Sequence, residues 1–333
     1  MSDQNRPAVS IAEQGESLPF VSIVIPAYNA IGTIRLCLDA ISGLDYPQDR
    51  YEVIVVDNNS TDDTPEIVSQ YPVRLVYERE IQGPHAATNT GVRHARGEIV
   101  VFTDSDCVPE PGWLRALVAP FADPEVVAAG GRIEAYRPSS RVEKFLAEDI
   151  RPFRNCVRLS DSFPASIITG NAAYRAEAFR AAGMFNPNMY TGSEVDLSWR
   201  VQWMTGKKAV YVPEAVIYHK FSPGLRRLFR HFRIYGYSEI MLGTLYKDKP
   251  GYPRPPKEQL RIMLRQSRAL LTYLASLVYR SVTAPFRGKG MDYVLSPALW
   301  LVAESGSICG KLEALWATRF YRKQFWNEGP RTI

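Results

Sequence analysis

Four short apolar runs recur in the first 103 residues with helix-patterned segments between them, and three of the four stop at polar or acidic side chains. They are VSIVI (residues 21–25), followed by PAYN; YEVIVV (51–56), followed by DNNS; a weaker run over 73–77; and IVVF (99–102), followed by TDSD. Runs this short and this rich in Val and Ile mark strands buried on both faces. Ile34, Cys37, Leu38 and Ile41 fall at helical spacing between the first two, and residues 64–70 continue the alternation. Such an order builds an α/β fold, a Rossmann-like, mostly parallel sheet flanked by helices. Open sheets of this kind bind ligands at the carboxyl ends of their strands. The chain contains neither Gly-x-Gly-x-x-Gly nor Gly-x4-Gly-Lys-Ser/Thr, so a dinucleotide-fold or P-loop phosphate cradle is unsupported.

The 333 residues hold one large α/β core plus an appended segment, and their 46% hydrophobic and 23% charged composition is that of a folded protein. Residues 1–18 are polar and lack the charged-then-apolar layout of a secretory signal, so they read as a flexible leader and the expected location is the cytoplasm. Cys37, Cys107, Cys156 and Cys309 stand far apart, without zinc or disulfide spacing, which fits a reducing compartment. Charge is unevenly placed. Residues 223–333 carry 19 basic and 7 acidic residues, a net +12, which leaves −7 for the part before them. Two regions with different partners are implied.

The middle of the chain, 126–168, reads as strand pieces around 127–133 and a helix over 142–150. After Gly170 and Asn171 come a helix over 175–182, a turn at Pro187 and Asn188, a helix over 195–204 closed by Gly206, a strand over 209–212, and His219. The expected division is therefore a leader (1–18), an α/β domain (19–222) and a basic, mainly helical extension (223–333) broken by a Pro-rich segment at 250–256. Leu225, Leu228, Phe229, Phe232 and Tyr235 recur at helical spacing with Arg226, Arg227, Arg230 and Arg233 between them. That is an amphipathic helix able to lie on anionic lipid or to pack on the α/β domain. The apolar stretches 269–286 and 293–309 are interrupted by Arg280, and by Pro297 and Glu304, short of the ~18 uninterrupted apolar residues of a transmembrane span. Peripheral contact with the inner face of the cell membrane is the expected use of this charge. No nucleic-acid module is recognisable, so nucleic acid is not an expected partner.

The sharpest chemistry lies in Asp104-Ser105-Asp106 after the fourth run. Two carboxylates on a tight turn can hold a hard divalent cation such as Mn²⁺ or Mg²⁺ while leaving sites for a diphosphate. The same residues could simply cap the next helix. Asp57, Asn58, Asn59, Ser60, Thr61, Asp62 and Asp63 form a cluster of short polar side chains suited both to a nucleobase and ribose and to helix capping.

Taken together, VSIVIPAYN (21–29), VVDNNSTDDT (55–64), Gly97-Glu98 before VVFTDSD (100–106), and GSEVDL (192–197) with Arg200 resemble the family-two glycosyltransferases of the GT-A fold. The resemblance runs in the family's order from about Phe20 to His219. It implies an inverting transferase that takes a nucleotide-diphosphate sugar, with a UDP-sugar the expected donor. Pro26, Ala27, Tyr28 and Asn29 would line the nucleotide pocket, with Asp57 and its neighbour Asn58 at the base. Asp104 would face ribose and metal, Asp106 would ligate the metal, and His219 would add a ligand. Glu194 takes the general-base position, and Gly170 and Asn171 the acceptor side.

Three departures from the family pattern stand out. Ser193 replaces the acidic residue that usually precedes the base. Thr88 replaces the usual arginine between Ala87 and Asn89, where Arg93 is the nearest substitute. The Gln-x-x-Arg-Trp signature of processive synthases is absent, which favours transfer of single sugars to a glycan or lipid-linked hydroxyl. Two alternatives carry less. A sugar nucleotidyltransferase would need a Gly-rich, Lys-containing loop where Pro26 to Asn29 stand. A non-catalytic nucleotide-sugar-binding scaffold is kept open by Ser193 and Thr88.

Overall fold

The computed structural model describes residues 18–148, 156–158, 163–189, 191–252 and 256–320. One eight-stranded sheet organises the α/β part. Its first half is β1 (Val21–Ala27), β2 (Tyr51–Asp57), β3 (Arg74–Tyr77) and β4 (Ile99–Thr103), all parallel in the order β3-β2-β1-β4. The second half adds β5 (Cys107–Pro109), β6 (Val126–Ala135), β9 (Asn171–Arg175) and β10 (Lys208–His219) in the order β4-β9-β6-β10-β5, with β9 and β5 antiparallel to their neighbours. The hairpin β7 (Val157–Arg158) and β8 (Ser166–Ile167) stands apart. Mostly parallel order and flanking helices are what the sequence predicts.

Both faces of the central strands are buried, which is why those segments read as continuous apolar runs. On one face Val21, Ile23 and Ile25 pack with Ile34, Cys37, Leu38 and Ile41 of α1 (Ile34–Ser42), and with Trp113 and Leu117 of α4 (Trp113–Val118). On the other, Val24, Ile54, Val56 and Phe102 meet Ala87 and Val92 of α3 (Pro84–His94), Phe179 of α6 (Ala176–Ala181), and Leu197 and Val201 of α7 (Ser193–Thr205). The short α2 (Thr64–Val68) and α5 (Arg141–Glu148) complete this part, and residues 149–150 of the expected α5 helix lie outside the described residues. The expected strand 209–212 runs on to His219 because β10 accommodates Pro213 at a register shift and then resumes pairing with β6.

Three long helices follow: α8 (Leu225–Tyr246), α9 (Pro256–Thr283) and α10 (Met291–Phe320). α8 is amphipathic as read from the sequence, and its apolar side is covered in part, while Leu225 stays 52% exposed. Leu228 is 1% exposed and packs with Leu299 and Ala303 of α10 and with Val142 and Phe145 of α5. Glycines let the two long helices touch backbone to backbone. A Cβ added at Gly310 would lie 1.8 Å from the Arg233 carbonyl oxygen, and one at Gly236 2.0 Å from that of Ser307. A polar network fixes the third helix: Lys311, almost fully buried, donates to Gln266 of α9 at 2.7 Å and pairs with Glu239 of α8 at 2.8 Å. Gln266 donates in turn to Glu304 and Ser307 of α10.

Gly310→Ala should therefore destabilise the extension. Overpacking against backbone costs ~2 kcal/mol, more than the ~1 kcal/mol that alanine gains over glycine in helix propensity. Limited proteolysis should release the C-terminal helices faster from this variant, and unchanged cleavage rates and melting temperature would contradict the close packing.

Candidate active site

A cleft of about 610 Å³ opens at the carboxyl edge of β1, β2 and β4, where the sequence places its polar residues. Its walls come from the loop after β1, the amino end of α3, the Asp104–Asp106 turn, the amino end of α7, and α8. Of the residues singled out from sequence, Pro26, Ala27, Tyr28, Asn58, Asp104, Asp106, Gly170, Glu194 and His219 line it. Asn29, Asp57 and Asn171 do not.

The nucleotide end is built by cross-bracing of loops. Tyr28 is 54% exposed and offers a free ring face. Asn29, held at φ 48°, accepts from the Thr61 backbone N–H at 2.8 Å and so ties the β1 loop to the β2 loop. Asn58 has its side chain committed to the fold: Nδ2 donates to the carbonyls of Glu78 and Ile81, and Oδ1 accepts from Gly83 N–H at 2.6 Å. It shapes the loop ahead of α3. Asp57 is 2% exposed; Oδ2 accepts from Ser60 N–H at 3.4 Å, whereas Oδ1 is buried with no hydrogen-bond partner. An unpartnered buried carboxylate oxygen at a strand end is costly in isolation and fits a ligand donor.

Strand pairing explains how the acidic turn meets its histidine. β10 runs antiparallel to β5 with His219 opposite Cys107, which brings His219 Nε2 to 3.3 Å from Asp106 Oδ1. Asp106, Cys107 and His219 offer ligand atoms within 4.8 Å of one another. Burial pushes the Cys107 thiol well above its ordinary value, with the charges of Asp106 and Asp104 adding to the effect, so it stays protonated and is a poor ligand for a hard cation. Asp104 is pushed up to about 6, chiefly by burial and then by Asp106; His219 opposes the rise and Glu194 adds to it. Carboxylates crowded in this way favour a compensating cation. Oxygen ligands with one imidazole fit Mn²⁺ or Mg²⁺, with the nitrogen favouring Mn²⁺. His219 Nδ1 is also buried without a partner.

Glu194, which also lines the cleft, stands in the first turn of α7, after Gly192 at φ +83°. Its Oε2 lies 3.4 Å from His85 Nε2 and has no hydrogen bond. Burial lowers the His85 pKa and the Glu194 charge partly opposes this, so His85 is neutral at pH 7. His85 was not singled out from sequence: a histidine after Gly83-Pro84 matches no motif, and only the packing of α3 against α7 reveals it. Asp196 is engaged elsewhere, accepting from Arg200 at 2.7 Å and from the Tyr246 hydroxyl. Ser193, where the family has an acid, accepts from Asn186 N–H at 2.7 Å. Ser193 does not line the cleft, whereas Thr88, where the family has an arginine, does, its hydroxyl donating to the Pro84 carbonyl at 2.8 Å.

The acceptor assignment needs one correction. Gly170 lines the cleft, but Asn171 is fully buried: its Oδ1 accepts from Trp113 Nε1 at 2.8 Å and its Nδ2 donates to the carbonyls of Arg132 and Ala215. All its polar side-chain atoms join β9 to α4, β6 and β10, which leaves none for a substrate. Arg93 also lies outside the cleft, donating to Thr90 at 3.1 Å, so it does not replace the arginine missing at Thr88. The wall beyond Glu194 comes instead from α8. His231, Ile234 and Tyr235 face the cleft with Phe221, Leu146 and Ile168, and burial lowers His231 to about 4, which keeps it neutral.

A mostly parallel sheet whose carboxyl edge opens into a cleft lined by polar loop residues, an acidic turn with its histidine, and a partly buried glutamate defines a GT-A glycosyltransferase. Residues 22–183 match the profile of glycosyl transferase family 2. The glycosyltransferase AglE of Haloferax volcanii is 32% identical over 236 residues, 69% of this chain and 76% of that protein. A pre-mycofactocin glycosyltransferase of Mycobacterium tuberculosis is 30% identical over 71% of the chain, which spans only half of that relative's length. Among solved structures, a mannosyltransferase of Pyrobaculum calidifontis, in complex with GDP-Man and Mn²⁺, superposes with a TM-score of 0.61 at 24% identity, over 90% of this chain and 87% of that one. Residues 1–349 of S. aureus TarS give a TM-score of 0.50 at 15% identity, over 90% and 91% of the two chains. The chain belongs to glycosyl transferase family 2 and is a glycosyltransferase.

Proposed function

We propose that this enzyme moves a single sugar from a UDP-sugar to a hydroxyl of a glycan or lipid-linked acceptor, with inversion at the anomeric carbon, in polysaccharide or cell-envelope synthesis. The observation that carries the reading is one cleft lined by Asp104, Asp106 and His219 together with Glu194, whose Oε2 is buried without a hydrogen bond. Asp57 lies behind the cleft-lining Asn58 at the end of β2, and its one oxygen without a hydrogen bond matches the one imide N–H of uracil, whereas guanine presents two adjacent donors. Tyr28 supplies a ring on which the base stacks.

Asp106 and His219, with Asp104 beside them, would hold a divalent cation, which supplies positive charge next to the departing diphosphate. Glu194 accepts the proton of the acceptor hydroxyl as the oxygen bonds to the anomeric carbon and the bond from that carbon to the diphosphate oxygen breaks. His85 flanks the carboxylate without adding charge. The apolar wall of Leu146, Ile168, Phe221 and Ile234 excludes water from the acceptor side and suits a lipid-linked or otherwise apolar acceptor. Residues 19–222 supply the catalytic domain in this reading. The basic C-terminal region holds the enzyme at the inner face of the cell membrane.

Proton NMR of a turnover reaction with α-linked UDP-sugars and Mn²⁺ tests the stereochemistry. The first-formed product, whether glycoside or free sugar, should be the β anomer. Initial formation of the α anomer would overturn in-line displacement.

A further inference from the structure

Among the described residues, α9 presents the least ordinary surface. Leu260, Leu264, Leu271, Leu274, Val278 and Val282 recur at intervals of three, four or seven residues and are each 52–70% exposed. They form one apolar stripe roughly 33 Å long at 1.5 Å per residue. Phe286, just past the helix, extends it and is 88% exposed. Apolar patches of this length on a solvated surface mark a docking site. The opposite face of α9 carries Gln266, locked to Glu304, Ser307 and Lys311 of α10, so the helix cannot turn its leucines inward without breaking that network.

We propose that this stripe seats the enzyme on an anionic lipid surface, with α9 lying in the plane of the interface. The inference rests on the membrane-surface reading of the C-terminal region and is independent of the chemistry in the cleft. Charge identifies the occupant: residues 256–290 carry seven basic residues against the single acid Glu258. Arg261, Arg265 and Arg268 follow one flank of the stripe and are exposed. Apolar side chains entering the acyl boundary with arginines at headgroup level are how an interfacial helix binds. No described helix is long and apolar enough to cross a membrane, so the helix lies on the surface. A second copy pairing through the same stripe would set two arginine rows side by side, where like charge opposes contact.

The test is co-sedimentation of the full chain with vesicles of phosphatidylcholine alone or mixed with phosphatidylglycerol, alongside the double variant Leu271→Glu, Val278→Glu. Both positions are exposed and outside the cleft, so helix content by circular dichroism and sugar-nucleotide turnover should be unchanged. The wild type should partition onto the anionic vesicles at least tenfold more strongly than onto neutral ones, and the variant should lose at least tenfold. Wild-type binding that the variant retains would overturn the role of α9 while leaving membrane attachment by another surface. No wild-type binding to either vesicle would overturn both. A wild-type dimer in sedimentation equilibrium that the variant disperses, without vesicle binding, would give the stripe to a second copy instead. None of these outcomes bears on glycosyl transfer.

Discussion

Replacing Glu194 with Gln should lower kcat about 1,000-fold while leaving the affinity for donor nucleotide within a factor of two. General-base catalysis contributes ~10²–10⁴-fold, and a thousandfold loss corresponds to ~4 kcal/mol of transition-state stabilisation. Gln keeps the volume and polarity of the side chain but cannot accept the hydroxyl proton. The binding half of the prediction follows from position, since Glu194 and His85 sit at the amino ends of α7 and α3, whereas Tyr28 follows β1 and Asp106 stands in the turn after β4. Loss confined to turnover separates catalysis from a nucleotide-sugar-binding scaffold, in which donor binding would persist and the wild type would turn over nothing. A variant with wild-type kcat would remove Glu194 from the mechanism.

Asp106→Ala should abolish metal-dependent nucleotide binding, with the affinity for nucleoside diphosphate in the presence of Mn²⁺ falling at least a hundredfold. Asp106 is the carboxylate within 3.3 Å of His219, and removing it leaves one imidazole and the neighbouring Asp104 to hold the cation. The folded state should tolerate the change, because Asp106 is only partly buried and its contacts among the described groups are polar ones at the cleft surface. Calorimetry of UDP binding with and without Mn²⁺, together with the melting temperature of the metal-free variant, distinguishes loss of a ligand from loss of the fold.

The parallel half of the sheet was legible because β1, β2 and β4 are buried on both faces, and that burial writes unbroken Val and Ile runs. β9 was not. Asn171–Arg175 is Ala-rich and short, and it is a strand because β4 and β6 pair with it on either side. α3 escaped for a related reason: of its buried positions only Val92 is a large apolar residue, the others, Ala86, Ala87, Thr88, Asn89, Thr90 and Gly91, being small or polar residues that allow close approach to the sheet without forming an apolar stripe. The site divides along the same line. Residues at strand ends could be read directly, and the family resemblance added Glu194 and His219. His85, His231 and Tyr235 enter the cleft only through tertiary packing. The α8 pattern announced an apolar face, but nothing local shows that α10 and α5 cover Leu228 on it, or that α9 carries an exposed one.

A cation-dependent nucleotide-sugar cleft at the sheet's carboxyl edge should reveal itself when the wild-type protein is titrated calorimetrically with UDP in the presence and absence of Mn²⁺, with GDP as comparison. One site per chain is expected, at least tenfold tighter with Mn²⁺ than without, and with UDP preferred over GDP. Binding that ignores the cation would contradict the role given to Asp104, Asp106 and His219, and no binding of either nucleotide would contradict the cleft as a donor site.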